Sequence, residues 1–281
     1  MINFLKTYLV DNYFDGLRQD DINIVKTQNG TGHLNKKIVF YVFDKNNKKP
    51  ALVVYAARNK KVNDVLKNSI NSNKKQDDLA PKILFEDYYN NIYFVGIEFI
   101  QGQKLNLNNK DDINLVFDYI IRQYKDNKNN EIKRLDVFYQ DIKNKFFKID
   151  IDINNLIEDK FSSFKDVKLP VIKQHGDLQD NNIFIVNGKL KIIDWDDYGF
   201  CDFPLFDFFT IYIKYKRKIA KDNFIENKLN DFYKLKNFEK INTEIYIIFY
   251  YLYDFLRKDK LHNKYERKKH YLELEKNIKK I

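Results

Sequence analysis

The chain has one cysteine, one methionine, one tryptophan, four prolines and eight glycines among its 281 residues. A single cysteine, Cys201, excludes an internal disulfide and a cysteine-based zinc site. It fits a reducing, cytoplasmic setting, the compartment expected for this chain. Proline is too sparse for a Pro/Ser-rich linker, and no internal repeat is found. Long apolar runs are missing too. The longest, Ile245 to Tyr253, falls far short of the roughly 20 residues a membrane helix needs, so no transmembrane segment is expected. The opening residues, MINFLKTYLVDNYFDG, lack a long apolar core and a small-residue cleavage site, so no secretory signal is expected. Arginine is limited to Arg18, Arg58, Arg122, Arg134, Arg217, Arg257 and Arg267, so lysine carries most of the formal net charge of +10. Such a charge suits a nucleic acid or an anionic membrane surface. Here, however, the lysines are dispersed, and Asn, Ile and Tyr are abundant beside them, which reads as compositional bias. No nucleic-acid partner is expected. His33, His262 and His270 show no metal-ligand spacing.

Hydrophobic residues at 44% and aromatics at 16% describe a globular chain whose core rests on Phe and Tyr. The length suits two lobes. The spacing predicts a short helix over Met1–Val10, then strands at Ile22–Thr27, Lys37–Phe43 and Ala51–Ala57. A helix over Val62–Ile70 follows, with further strands at Pro81–Phe85 and Ile92–Ile100. After Gly102 the periodicity turns helical. Ile113, Val116, Phe117, Ile120 and Ile121 form one stripe; Leu135, Phe138, Ile142 and Phe146 form the next; Ile153, Leu156, Ile157, Phe161 and Phe164 follow. Helical spacing returns after Pro204, through Leu205, Phe208, Phe209 and Tyr212, then Ile245, Ile248, Phe249, Leu252 and Leu256, and finally Tyr271, Leu274, Ile278 and Ile281. These stripes are the ordinary core face of packed helices.

One stretch, Lys173 to Phe209, carries chemistry. His175, Gly176, Asp177 and Asn182 stand at H-G-D-x-x-x-x-N spacing. Two β-like runs follow, Ile183–Val186 and Leu190–Ile193, joined by Asn187-Gly188, a pair that readily takes the positive φ angles of a two-residue hairpin. Asp194 ends the second run. Phosphoryl transfer needs a carboxylate to orient the acceptor hydroxyl and take its proton, and oxygen ligands for one or two divalent ions on the phosphates. Asp177 is of the right type for the base, and Asn182 and Asp194 for the metal. His175 is expected to orient the loop, and Gly176 to let the backbone turn beside Asp177. Asp196 and Asp197 read as a solvated loop, with a substrate or metal contact as the alternative.

This stretch resembles the catalytic region of the aminoglycoside phosphotransferase and choline kinase superfamily, the small-molecule branch of the protein-kinase-like fold. Gly199, Asp202-Phe203-Pro204 and Asp207 resemble a second family motif, with Phe203 interrupting its Asp-Pro pair; Asp207 would tie the following helix to the catalytic loop. Gly32-His33-Leu34-Asn35 resembles the loop over the phosphates. Ile97 to Gly102, with Glu98 and Ile100, resembles the hinge whose backbone meets adenine. The resemblance implies an α+β, bilobal, protein-kinase-like fold. Residues 1–100 would form a nucleotide-binding lobe with a small antiparallel sheet, and residues 101–281 a mostly helical catalytic and acceptor-binding lobe. It implies ATP and Mg²⁺ as cofactors and transfer to a hydroxyl of a small molecule such as choline, ethanolamine, a sugar or an aminoglycoside. Acceptor contacts would come from the C-terminal helices, where Tyr246, Tyr250 and Tyr253 and the acids Glu244 and Asp254 stand; core packing and lysine pairing are the competing reading. The family grips the phosphates with a strand-three lysine that is missing here. Either Tyr55 fills its place and the grip is lost, or Arg58 takes the role; Arg58 also reads as an ordinary strand-end arginine. The small-lobe helix lacks the family's glutamate. These departures leave a second reading, a pseudokinase that binds nucleotide or a partner without turnover.

Overall fold

The computed structural model describes residues 1–27, 37–45, 47–126, 131–145, 151–218, 224–235, 239, 241–259 and 264–281. The chain forms two compact units, one of Met1–Gln103 with Phe184–Asp196, the other of Lys104–Ile183 with Asp197–Ile281.

The first unit opens with α1 (Ile2–Asn12). Five antiparallel strands follow: β1 (Ile22–Thr27), β2 (Lys37–Asp44), β3 (Leu52–Ala57), β4 (Ile83–Tyr89) and β5 (Ile92–Glu98), in the sheet order β1-β2-β3-β5-β4. Helix α2 (Asn63–Lys74) lies between β3 and β4 in the chain. The β-β-β-α-β-β order expected from the pattern is the observed one. Side chains alternate across a strand, and each face of this sheet has its own helix. Phe40, Val42, Leu52, Val54, Ala56 and Phe94 pack with Leu5 and Leu9 of α1. Val39, Val53, Ala57, Tyr93, Val95 and Ile97 pack with Leu66 and Ile70 of α2. Burial on both faces explains why β3 reads LVVYAA without alternation. Asn90 and Asn91, at φ 50° and 61°, make the tight turn from β4 to β5.

The short strand β6 (Gln103–Lys104) spans the point where the chain passes between units. The hairpin of β9 (Ile183–Val186) and β10 (Lys189–Ile192) turns at Asn187 and Gly188, at φ 49° and 73°, as that pair predicts. Within the first unit this hairpin lies against the segment after β5 and the one before β4. A Cβ on Gly102 would stand 2.7 Å from the Ile185 carbonyl oxygen, and Lys191 Nζ reaches the Ala80 carbonyl at 3.4 Å.

The second unit is mainly helical. It holds α3 (Lys110–Lys125), α4 (Leu135–Lys145), α5 (Ile151–Phe161), α6 (Phe206–Lys218), α7 (Phe224–Phe232), α8 (Thr243–Asp259) and α9 (Lys264–Ile278). The Asn109 side chain caps α3 by accepting from Asp111 N at 3.0 Å; acids occupy its first turn and Arg122 and Lys125 its last, each complementing the helix dipole. Ile113, Val116, Phe117 and Ile120 are its buried stripe. Two three-residue strands, β7 (Ile132–Arg134) and β8 (Lys168–Pro170), pair antiparallel. Pro170 therefore ends a strand, in a segment where the sequence pattern predicts none. Three residues are too few to show a period. Phe164 falls in a 3₁₀ turn, Ser162–Phe164, instead of continuing the helix. Phe203, the residue that interrupts the Asp-Pro pair, stacks on Phe249 of α8 with ring centroids 4.2 Å apart, and Phe138 meets it edge-on at 5.3 Å. Such aromatic pairs contribute about 0.5–1.5 kcal/mol each beyond the area they bury. Among the described residues no helix is long and apolar enough to cross a membrane.

Candidate active site

In the helical unit the site is the loop from Gln174 to Asn182. It lies between buried groups, and its backbone donors need internal partners. Asp207, on the first turn of α6 and fully buried, supplies two of them. Its carboxylate accepts from His175 N at 2.8 Å and from Gly176 N at 3.0 Å. Gln174 completes the tie, accepting from Asp207 N at 3.1 Å and donating to the Phe203 carbonyl at 2.6 Å. Burial pushes the Asp207 carboxyl up to about 7 against the lowering effect of those two N–H bonds; the charge of Asp177 raises it further and Arg257 lowers it. His175 is also fully buried, and its Nδ1 accepts from Asp177 N at 3.2 Å. The ring thus meets the loop backbone at Asp177. Gly176 sits at φ +84°, and a Cβ there would stand 2.4 Å from the Asp197 carbonyl oxygen. Only glycine fits both constraints.

Asp177 projects from this loop with 16% of its side chain exposed. Gln179 Nε2 donates to its Oδ2 at 3.0 Å, and Asn182 Nδ2 donates to Oδ2 at 3.3 Å and to the Asp177 backbone carbonyl at 2.9 Å. Arg257 of α8 lies 2.5 Å from Oδ1 through Nη1. The same guanidinium reaches Asp254 at 3.1 Å through Nη2 and stands 3.8 Å from Asp197. Arg257, whose side chain is 17% exposed, is the residue that motif reading missed. Its only signal is position: it follows Tyr253 by four residues, on the buried face of α8. Asp177, Arg257 and Asp254 border a cavity of about 190 Å³ within this unit, with Tyr250, Tyr251, Lys258, Glu273 and other side chains around it. Tyr246 and Tyr253 are core residues, so of the three tyrosines suggested for an acceptor only Tyr250 lines this space. Glu244 pairs with Lys160 at 3.1 Å.

In the sheet unit the counterpart lies at the end of β10. Asp194, at φ +67°, accepts from Lys37 Nζ at 2.8 Å. Asp196 accepts from the same ammonium at 3.0 Å and from the hydroxyl of Ser69 on α2. Asp196 is thus a bound partner of Lys37 and not part of a solvated loop. Burial opposes the charge on Lys37, but the carboxylates of Asp194 and Asp196 hold its pKa above the ordinary lysine range. Arg58, the candidate phosphate cation, is exposed beyond the end of β3. Glu98, at the end of β5, accepts from Lys82 N at 3.2 Å, and Ile100 is buried. Gly32 and Asn35 lie outside the described residues.

Among the described residues no three or more His, Cys, Asp or Glu side chains cluster as a metal site. Mg²⁺ in nucleotide enzymes is usually held by one or two protein oxygens, water and the phosphates themselves, and the donor chemistry present fits that pattern. The Asn182 amide nitrogen points at Asp177, which turns its oxygen away from that carboxylate. Asp194 is 42% exposed at the end of β10, with its Oδ1 on Lys37.

No family model matches the sequence, and neither does any curated protein. Solved structures do. An aminoglycoside phosphotransferase in ternary complex with ADP and hygromycin B aligns over 98% of both chains at TM-score 0.55 and 11% identity. The GDP complex of an aminoglycoside 2'-phosphotransferase aligns over 99% of this chain and 98% of that one, at TM-score 0.58 and 13% identity. The ethanolamine kinase of Plasmodium vivax aligns over 96% of this chain and 86% of that one, at TM-score 0.55 and 14% identity. The fold is that of the small-molecule kinases. Within that kinase fold, the antiparallel sheet of the first unit and the helices of the second match the architecture the motif implied.

Proposed function

We propose that this chain is an ATP- and Mg²⁺-dependent phosphotransferase that moves a γ-phosphate to a hydroxyl of a small molecule. One observation carries the reading: Asp177 stands at the edge of a cavity on a loop whose backbone is bonded to buried Asp207. That is how a general base has to be held, because a fraction of an ångström decides proton-transfer efficiency. Asp177 would accept the acceptor's hydroxyl proton as its oxygen bonds to the γ-phosphorus and the bond to the β–γ bridging oxygen breaks. Asn182 and Asp194 would each offer an oxygen to the metal. Mg²⁺, when bound, neutralises phosphate charge as the bond breaks. Glu98 and Ile100 would meet the adenine through their backbone, and the loop with Gly32 and Asn35 would cover the phosphates.

The acceptor would occupy the cavity beside Asp177. Its lining carries both charge signs and two tyrosine rings, which suits a polar acceptor such as an amino alcohol, a sugar or an aminoglycoside. The test is ATP consumption by the full chain against panels of these compounds and nucleosides, with and without Mg²⁺. Turnover with one class, lost in Asp177→Ala, is the expected result. Metal-independent ATP binding without turnover on any acceptor would overturn it in favour of a pseudokinase.

A further inference from the structure

The family's phosphate-gripping lysine is missing from β3; in one alignment Tyr55 stands in its place, and the alternative, Arg58, is exposed beyond the strand end. The register of the sheet shows what compensates. Val39 of β2 is opposite Tyr55, and Lys37 is opposite Ala57. Lys37, Val39, Tyr55 and Ala57 therefore share the α2 face of the sheet. Lys37 is one rung from Tyr55, and its side chain runs back across the ring, with Nζ 4.7 Å from the ring centroid. The ammonium thus stands over position 55, where a lysine at that position would have carried its own charge. We infer that Lys37, delivered from β2, is the cation that binds the nucleotide phosphates in this chain, an inference that rests on the phosphotransferase reading.

Three features separate this lysine from an ordinary surface ion pair. Its side chain is only 15% exposed, against 42% for Asp194 and 25% for Asp196, so it is held by the fold more than by solvent-facing partners. Its ammonium lies over Tyr55, whose ring face favours a cation. Finally, an ammonium has three donors; Asp194 and Asp196 take two of them, which leaves one for a phosphate oxygen. The missing helix glutamate is replaced in the same device. Asp196 supplies the carboxylate that steadies the lysine, and Ser69 of α2 donates to Asp196, so the helix is still linked to the cation through one intermediate group. Tyr55 then has a role: it supports the ammonium that it displaced from β3.

The experiment measures affinity for Mg·ATP on the full chain by calorimetry, with thermal stability recorded alongside, in four proteins: wild type, Lys37→Met, Arg58→Ala and Lys37→Met/Tyr55→Lys. Removing one charge-assisted contact to phosphate should weaken binding in Lys37→Met by roughly 10- to 100-fold. Returning the lysine to β3 in the double variant should recover most of that loss, which a purely structural role for Lys37 would not allow. Wild-type affinity in Lys37→Met overturns the inference while leaving the phosphotransferase reading intact. So does a loss that appears in Arg58→Ala instead, or one that tracks a fall in thermal stability and is not recovered by Tyr55→Lys. A wild-type chain that binds no nucleotide overturns the phosphotransferase reading itself, and this inference with it.

Discussion

In each unit a basic side chain of the candidate site lies among carboxylates, Arg257 in one and Lys37 in the other, and the two arrangements differ in a way that predicts different roles. In the helical unit the guanidinium of Arg257 spans Asp177 and Asp254 with separate nitrogens, and every one of these side chains is less than one-fifth exposed. In the sheet unit the ammonium of Lys37 meets Asp194 and Asp196, both more open to solvent than itself. A planar fork between two acids is a rigid fixture that orients what it touches. A point charge with a donor to spare, beside acids that water screens, is suited to exchanging partners. Arg257 thus belongs with the architecture that aims Asp177, and Lys37 with ligand binding.

The largest effect expected from breaking the helical arrangement is on turnover. Asp177→Ala should lower phosphotransfer by roughly 10²–10⁴-fold. Arg257 would keep Asp254 and Asp197 as partners, so the charge stays compensated and the thermal midpoint should move little. Full activity in that variant would sink the assignment of the base. Gly176→Ala comes next. It forces a Cβ against the Asp197 carbonyl at a φ of +84°, a strain of about 1–3 kcal/mol, and it displaces the loop that carries Asp177. Both stability and kcat should fall; a neutral outcome would mean that the loop relaxes freely.

The contrast itself is tested by removing each cation. Arg257→Ala leaves Asp177 and Asp197 without this cation, Asp254 keeping Lys258, and should cost about 1–3 kcal/mol in urea unfolding, less than the full buried-pair penalty because water reaches part of the site. Lys37→Met leaves two acids that water reaches more readily, Asp194 at 42% and Asp196 at 25% exposed, and should cost less than Arg257→Ala. Equal losses would show that the two arrangements are the same kind of structural pair.

Much of this was legible from sequence, for identifiable reasons. The strands of the first unit were legible because β-branched and aromatic residues cluster between Asn, Gly and Lys turns. The hairpin after Asn182 was legible because Asn187-Gly188 permits so few backbone shapes. The H-G-D loop was legible because local spacing is all that it needs. Lys37 and Arg257 were not legible, since their partners lie 157 and 80 positions away in the chain for the closest contacts. Strand register and helix face, which decide those contacts, are set by tertiary packing. Tyr55 reads as a loss, yet the gain that offsets it sits on the neighbouring strand, where only pairing shows that positions 37 and 55 share a face. Asp196 was misread for the same reason: nothing local to an acidic run says that a strand lysine and a helix serine meet it.

The smallest effect concerns Asp207, which separates the fixed loop from the groups it aims. Its carboxyl is pushed by burial from an ordinary 3.8 up to about 7. The folded chain therefore holds a proton there that the unfolded chain releases as pH rises above about 4. The stability linked to that proton is fully present below the unfolded value and declines as pH climbs to about 7. Asp207→Asn removes the titration but keeps one acceptor oxygen for the two backbone N–H groups. The difference in unfolding free energy between wild type and Asp207→Asn should accordingly shrink across this window, as wild type loses ground and the variant does not. Urea unfolding of both proteins across the window, at constant ionic strength, measures that difference directly. A difference that stays flat would mean that Asp207 is already a carboxylate throughout, with the N–H bonds from His175 and Gly176 outweighing burial. The catalytic loop would then be held by a buried charge and not by a neutral acid.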